Sequence, residues 1–301
     1  MNYAAVAIPR MERLRMPLSR DQVVLLMAAL NLFLLGLETY LAHLISGTIV
    51  PQEWIPILFG PIGGTMLLIA GLISMRRREA ASLLATLVLL ASTAVGFLGA
   101  YFHIVRAIAP FAPPGSQVTI SLLIWAPPLL GPLTFCLVGL FGISAAWPET
   151  SPDSGVLRLP GGLRLPLPYS KTRAYLYAVS MGSLATVISS VLDHARTDFS
   201  NPWLWFPTAV GVFATVVAAS LAALPEPRRG DVWTYLTAMV LMMLAGLLGV
   251  VLHTRTNLTS GGQFVFERFL RHAPFLAPML FSDIGLWGLI AIMPPGQDSD
   301  S

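Results

Sequence analysis

The chain has 301 residues, 55% of them hydrophobic and only 11% charged, with a formal net charge of +3 and a mean hydropathy of +0.72. Soluble domains carry about 25% charged residues, so polar surface is too scarce here for a water-soluble fold, and lipid is the expected solvent. The single cysteine, Cys136, excludes an internal disulfide, a cysteine-rich zinc site and a CxxCH haem attachment, and the lack of a basic patch interleaved with aromatics argues against nucleic acid.

Residues 1–21 carry Arg10, Arg13, Arg15 and Arg20 and read as a cytoplasmic N-terminal segment. The apolar run behind them is longer than a signal-peptide core, so it reads as a retained first helix. Four apolar segments, each near the roughly 20 residues that a bilayer requires, fall at 22–46, 53–75, 80–106 and 119–147. A linker rich in Pro, Gly and Arg occupies 148–172. Four more segments follow at 173–196, 203–224, 231–254 and 272–293, and the polar stretch 294–301 reads as a disordered tail.

The two sets of four resemble each other. GFLGAYFH at 96–103 returns as GLLGVVLH at 246–253, and His43 and PQEWIP return 151 residues later as His194 and NPWLWFP. The fourth segments agree more weakly, PPLLGPLTF (127–135) against APFLAPMLF (273–281). Four crossings bring a chain back to its starting side, so the copies share one orientation. The expected fold is an all-α integral membrane protein of eight transmembrane helices, built as two parallel four-helix repeats, 22–147 and 173–293, about a pseudo-twofold axis. Eight helices in two bundles resemble, in architecture alone, the quinol-interacting membrane subunits of the polysulfide reductases.

Arginine and lysine placement orients the chain. An inner N-terminus puts thirteen of the basic residues inside and five (Arg106, Arg196, Arg255, Arg268 and Arg271) outside. Both termini are then cytoplasmic, in the cell membrane. All five histidines lie at the outer ends of their segments: His43, His103, His194, His253 and the unpaired His272.

Gly99 and Gly96 stand four and seven residues before His103; Gly249 and Gly246 stand likewise before His253. Residues at these spacings share a helical face, so each histidine tops a groove of bare backbone. Such a groove suits tight helix packing or a flat cofactor. Ionisable groups inside a span are costly and are functional candidates, which singles out Glu38, Asp193 and the mid-segment Asp283. Ser189 occupies the position matching Glu38, so the carboxylates break the symmetry that the histidines keep.

Imidazole is the commonest metal ligand, and four histidines with two acids suit copper or non-haem iron. The leading expectation is a redox protein holding a metal ion (Cu or Fe) or haem b. His43, His103, His194 and His253 are the ligands, with Glu38 and Asp193 as ligands or their carboxylate partners, and Gly96, Gly99, Gly246 and Gly249 make room for the cofactor. Electrons would pass to a quinone, an outer-side partner or other subunits of a membrane complex. Interfacial capping of helix ends is the plainer reading of the histidines. A transporter is the first alternative, since Asp283 lies in segment 8 and prolines interrupt segments 4 (Pro127, Pro128, Pro132) and 8 (Pro274, Pro278). A structural subunit of a larger complex is the second. Phosphate-loop, GxGxxG, HExxH and GxSxG motifs are absent.

Overall fold

The computed structural model describes residues 3–7, 17–44, 47–74, 76–259, 264–271, 273–274 and 276–294. The tail beyond 294, His272 and the side chain of Arg271 lie outside them. The protein is mostly helical. Tyr3–Ala7 forms α1, Arg20–Leu44 α2, Trp54–Ser74 α3, Arg78–Ala107 α4, Ile120–Trp125 α5 and Leu130–Ala146 α6. After the linker come α7 (Lys171–Ala195), α8 (Trp205–Ala223), α9 (Arg229–Thr259), α10 (Phe266–Arg271) and α11 (Met279–Ala291).

Six helices, α2, α3, α4, α7, α8 and α9, are long and apolar enough to cross a membrane. Large apolar side chains such as Leu72, Leu87 and Val216 stay exposed on their flanks. In water each would forfeit the transfer energy of burial, about 1.5–3 kcal/mol; acyl chains remove that penalty. Membrane residence therefore follows from composition and packing together.

Segments 4 and 8 are interrupted, as their prolines imply, and neither forms a single spanning helix. Segment 4 is not one helix over 119–147: α5 ends at Trp125, Ala126 turns extended (φ −69°, ψ 166°) and α6 restarts at Leu130. Pro127 and Pro128 cause the break, because proline lacks the N–H that a helix uses and forces the preceding residue out of the helical region. In segment 8, α11 covers only Met279–Ala291, starting just after Pro278. At 1.5 Å per residue, α6 is about 25 Å long and α11 about 20 Å, short of a hydrocarbon core of about 30 Å.

Neighbouring helices form two closed rings. In one, α2, α3, α4 and α6 pack in cyclic order; in the other, α7, α8, α9 and α11 do the same. The rings meet where α6 touches α7 and α11 touches α2. Close approach depends on glycine: a Cβ on Gly60 of α3 would come within 2.6 Å of the Gly36 Cα on α2. The linker holds more structure than a loop. Val156–Arg158 (β1) and Arg164–Pro166 (β2) pair antiparallel, around a turn in which Gly161 and Gly162 take φ of 80° and 78°.

One end of the rings is tied by a buried ionic cluster. Lys171, fully buried, donates to Asp21 Oδ2 at 2.5 Å and to the Trp147 carbonyl at 3.0 Å. Arg20, also buried, donates to Thr172 Oγ1 at 2.6 Å and lies 3.9 Å from Glu149. Tyr175 donates to Asp21 Oδ1 at 3.2 Å. Glu149 in turn accepts the backbone N–H groups of Asp153 and Gly155. The start of α2, the end of α6, the linker and the start of α7 are thereby joined.

Candidate functional site: a cavity between two helix rings

The duplicated glycine–histidine motif meets the duplicated prolines. His103 on α4 bonds the Pro128 carbonyl through Nδ1 at 2.9 Å; His253 on α9 bonds the Pro274 carbonyl through Nδ1 at 2.9 Å. A carbonyl only accepts, so Nδ1 carries the proton in both rings and Nε2 presents its lone pair. Below each histidine the glycines seat a proline and a small polar residue. A Cβ on Gly99 would come within 2.7 Å of Pro132, and one on Gly249 within 2.6 Å of Pro278. A Cβ on Gly96 would reach the Cys136 backbone nitrogen at 2.6 Å, and one on Gly246 the Ser282 nitrogen at 2.6 Å. Cys136 Sγ donates to the Thr93 carbonyl and Ser282 Oγ to the Met243 carbonyl. GxxGxxxH and PxxxP are thus two sides of a clasp, present twice. The groove that sequence offered to a helix or a cofactor holds a proline ring.

The histidines stand as two pairs, one per ring. His43 and His103 have ring centroids 6.3 Å apart; His194 and His253 are also 6.3 Å apart, at 89°. His43 Nδ1 donates to Thr39 O, one turn back, at 2.8 Å, which is the helix-end capping expected of an interfacial histidine. Among the described residues no three His, Cys, Asp or Glu side chains are grouped to hold a metal ion.

All four paired histidines border one cavity of ≈ 1710 Å³ between the rings. Its two facing walls are matched helical stripes. On α2, Asn31, Leu35, Glu38, Thr39, Ala42 and His43 line it; on α7 the residues 151 further on do so, with Ser189 facing Glu38's counterpart position and Asp193 that of Ala42. Spacings of three, four and seven put each stripe on a single face. The starts of α6 and α11, at Leu130 and Met279, also border the space. At the start of α11 the N–H groups of Met279, Leu280 and Phe281 already donate to the carbonyls of Leu276, Ala277 and Pro278, so what this end offers the cavity is the positive end of its dipole.

Polar groups in the cavity are mostly spoken for. Asp283 on α11 accepts from Asn31 Nδ2 of α2 at 3.0 Å and from Trp287 Nε1 at 3.1 Å, linking the two rings. Glu53 lies 3.5 Å from Arg106 Nη1 and 3.8 Å from His43 Nε2, and accepts the Val50 N–H at 3.0 Å. Asp193 lies 3.8 Å from Arg196. Arg196 also reaches across the rings to the Ile124 and Ala126 carbonyls, at 2.8 and 3.2 Å, bonding backbone beside the proline break. Glu38 is the exception: half-buried, it has no hydrogen bond or ion pair among the described residues.

Glu38, Asp193 and the four histidines, which the sequence groups, border one space together with Asp283, which the sequence sets apart. Sequence reasoning missed Asn31, Arg196's bonds to the broken segment and the Lys171–Asp21 cluster. Asn31 was readable, being an amide seven residues before Glu38 in an apolar run; the others depend on contacts between distant helices.

The chain matches no protein-family model, no curated protein and no solved structure.

Proposed function

We propose that the protein is a membrane carrier for a small molecule that binds in the cavity between its two helix rings. The chain is read as two parallel four-helix repeats, with α5–α6 and α10–α11 as discontinuous fourth and eighth crossings. Both termini and the Lys171–Asp21 cluster then face the cytoplasm, and the histidine end faces outward. One observation carries the reading: both proline-interrupted segments deliver a helix start to the same cavity. Discontinuous helices at matching positions of two repeats, bordering a shared space, are the hallmark of carrier sites. In this reading the cavity stands open toward the histidine end while the ionic cluster closes the other. Rocking of one ring against the other would exchange the two.

Cysteine accessibility tests this. Cys136→Ser removes the only native thiol. Cysteines placed at Leu35, Ala185 or Ala277, all on the cavity wall, should react with a membrane-impermeant maleimide from both faces of sealed vesicles. Reaction from one face only, under every condition, would end the carrier reading.

A redox centre is the second reading, and one observation favours it. Histidines 103 and 253 have Nδ1 fixed by a carbonyl, which is how protein scaffolds orient a ligating imidazole so that Nε2 can bind a metal. Each close pair would supply two ligands to iron or copper, with the remaining ligands coming from outside the described groups.

A further inference from the structure

Glu38 raises a question that the carrier reading leaves open: what does an unpartnered carboxylate meet in an apolar chamber? A carboxylate removed from water without a partner is costly. The other acids that border the cavity have ion-pair or hydrogen-bond partners among the described residues. Arg106 and Glu53 are mutual partners, Asp193 and Arg196 likewise, and Asp283 accepts from Asn31 and Trp287. The stripe opposite Glu38 carries a neutral Ser189. The remaining wall is apolar and adaptable, with methionines at 27, 181, 243 and 279; unbranched thioether side chains repack around varied shapes.

We infer that the cavity binds an apolar organic cation, a single positive centre on a hydrophobic body, with Glu38 as its counter-ion and Ser189 on the facing wall. The inference rests on the carrier reading for its purpose but not for its geometry. A hydrated metal cation fits poorly, because three of the four carboxylates that border the cavity, Glu53, Asp193 and Asp283, already have partners. An apolar anion would place its charge beside Glu38 and be repelled. A volume of ≈ 1710 Å³ exceeds the 300–1,000 Å³ of common ligand sites, so bulky bodies are accommodated.

Two probes of like size and opposite charge separate charge from grease. Tetraphenylphosphonium and tetraphenylborate are offered to the full-length protein in detergent micelles, and binding is measured by equilibrium dialysis in mildly alkaline buffer. The wild type should take up the phosphonium saturably and at least about tenfold more tightly than the borate. Glu38→Gln and Glu38→Ser should erase that preference, Glu38→Asp should keep part of it, and Glu79→Gln on the remote start of α4 should change nothing. Equal affinity for both ions in the wild type, or undiminished phosphonium binding in a folded Glu38→Gln or Glu38→Ser protein, overturns the inference. The failures are distinguishable. Charge-selective binding through Glu38 with one-sided cysteine labelling keeps the cation site and removes transport. Two-sided labelling without charge selectivity keeps transport and removes the cation site.

Discussion

His253 holds the carbonyl of Pro274 at 2.9 Å, as His103 holds that of Pro128. A proline break leaves carbonyls without helical partners, and in lipid such groups must be satisfied by protein. The imidazole does this in each ring. His103→Ala should therefore lower stability by about 0.5–1.5 kcal/mol, the net worth of one hydrogen bond, and His253→Ala should match it. Asparagine or glutamine at either site should restore part of the loss, read as thermal unfolding in detergent. Full rescue of function by alanine, with unchanged melting, would contradict the clasp.

The glycines below the histidines make a sharper prediction. Gly96→Ala and Gly246→Ala each drive a methyl into backbone at 2.6 Å, and overpacking of this kind costs about 1–3 kcal/mol. Gly71→Ala is the control. Its added Cβ meets nothing within 4 Å, and alanine exceeds glycine in a helix by about 1 kcal/mol. The first two variants should melt lower than the wild type and the third no lower.

Lys171 is fully buried against Asp21 and the Trp147 carbonyl. Stripping one partner from a buried pair costs about 3–5 kcal/mol because the other charge is stranded. Lys171→Met alone should destabilise strongly, while Lys171→Met with Asp21→Asn should recover much of the loss. Denaturation of the single and double variants checks this, and independent, additive effects would show that the pair is not coupled.

Asn31 and Asp283 bridge the rings. A double-mutant cycle with Asn31→Leu and Asp283→Leu should return a coupling of at least about 0.5 kcal/mol, as for residues in direct contact. A coupling near zero would mean that the bond is not kept in the membrane.

Metal content separates the two functional readings. The carrier reading expects purified protein with substoichiometric iron and copper and no haem absorbance. One metal or haem per chain, lost on His43→Ala and His194→Ala, would replace it with the redox reading.

Much of this architecture is written locally. The six long helices follow from uninterrupted apolar runs, and their observed limits fall within a few residues of those runs; Arg78–Ala107, for instance, stands where 80–106 is expected. In segment 4 hydropathy continues through Ala126–Leu129 although helical hydrogen bonding does not, so apolar length alone overstates its helix. Prolines at 127 and 128 carried the signal. The clasp was half visible: spacing put Gly96, Gly99 and His103 on one face, yet only the fold supplied Pro132 and Pro128 as what that face meets. The ionic cluster escaped because Arg20, Asp21, Glu149 and Lys171 come from three distant stretches, and each alone reads as an ordinary charge at a helix end.

On the proposed two-repeat reading, the matching positions of Glu38 and Ser189 bear on design. Two identical four-helix subunits meeting about a symmetry axis must offer the same residue from either side, so a lone acid would always arrive with its twin and their repulsion. Fusion into one polypeptide lifts that constraint. Ser189→Glu would make the chamber symmetric, and bring with it the mutual repulsion that a covalently joined pair is free to avoid.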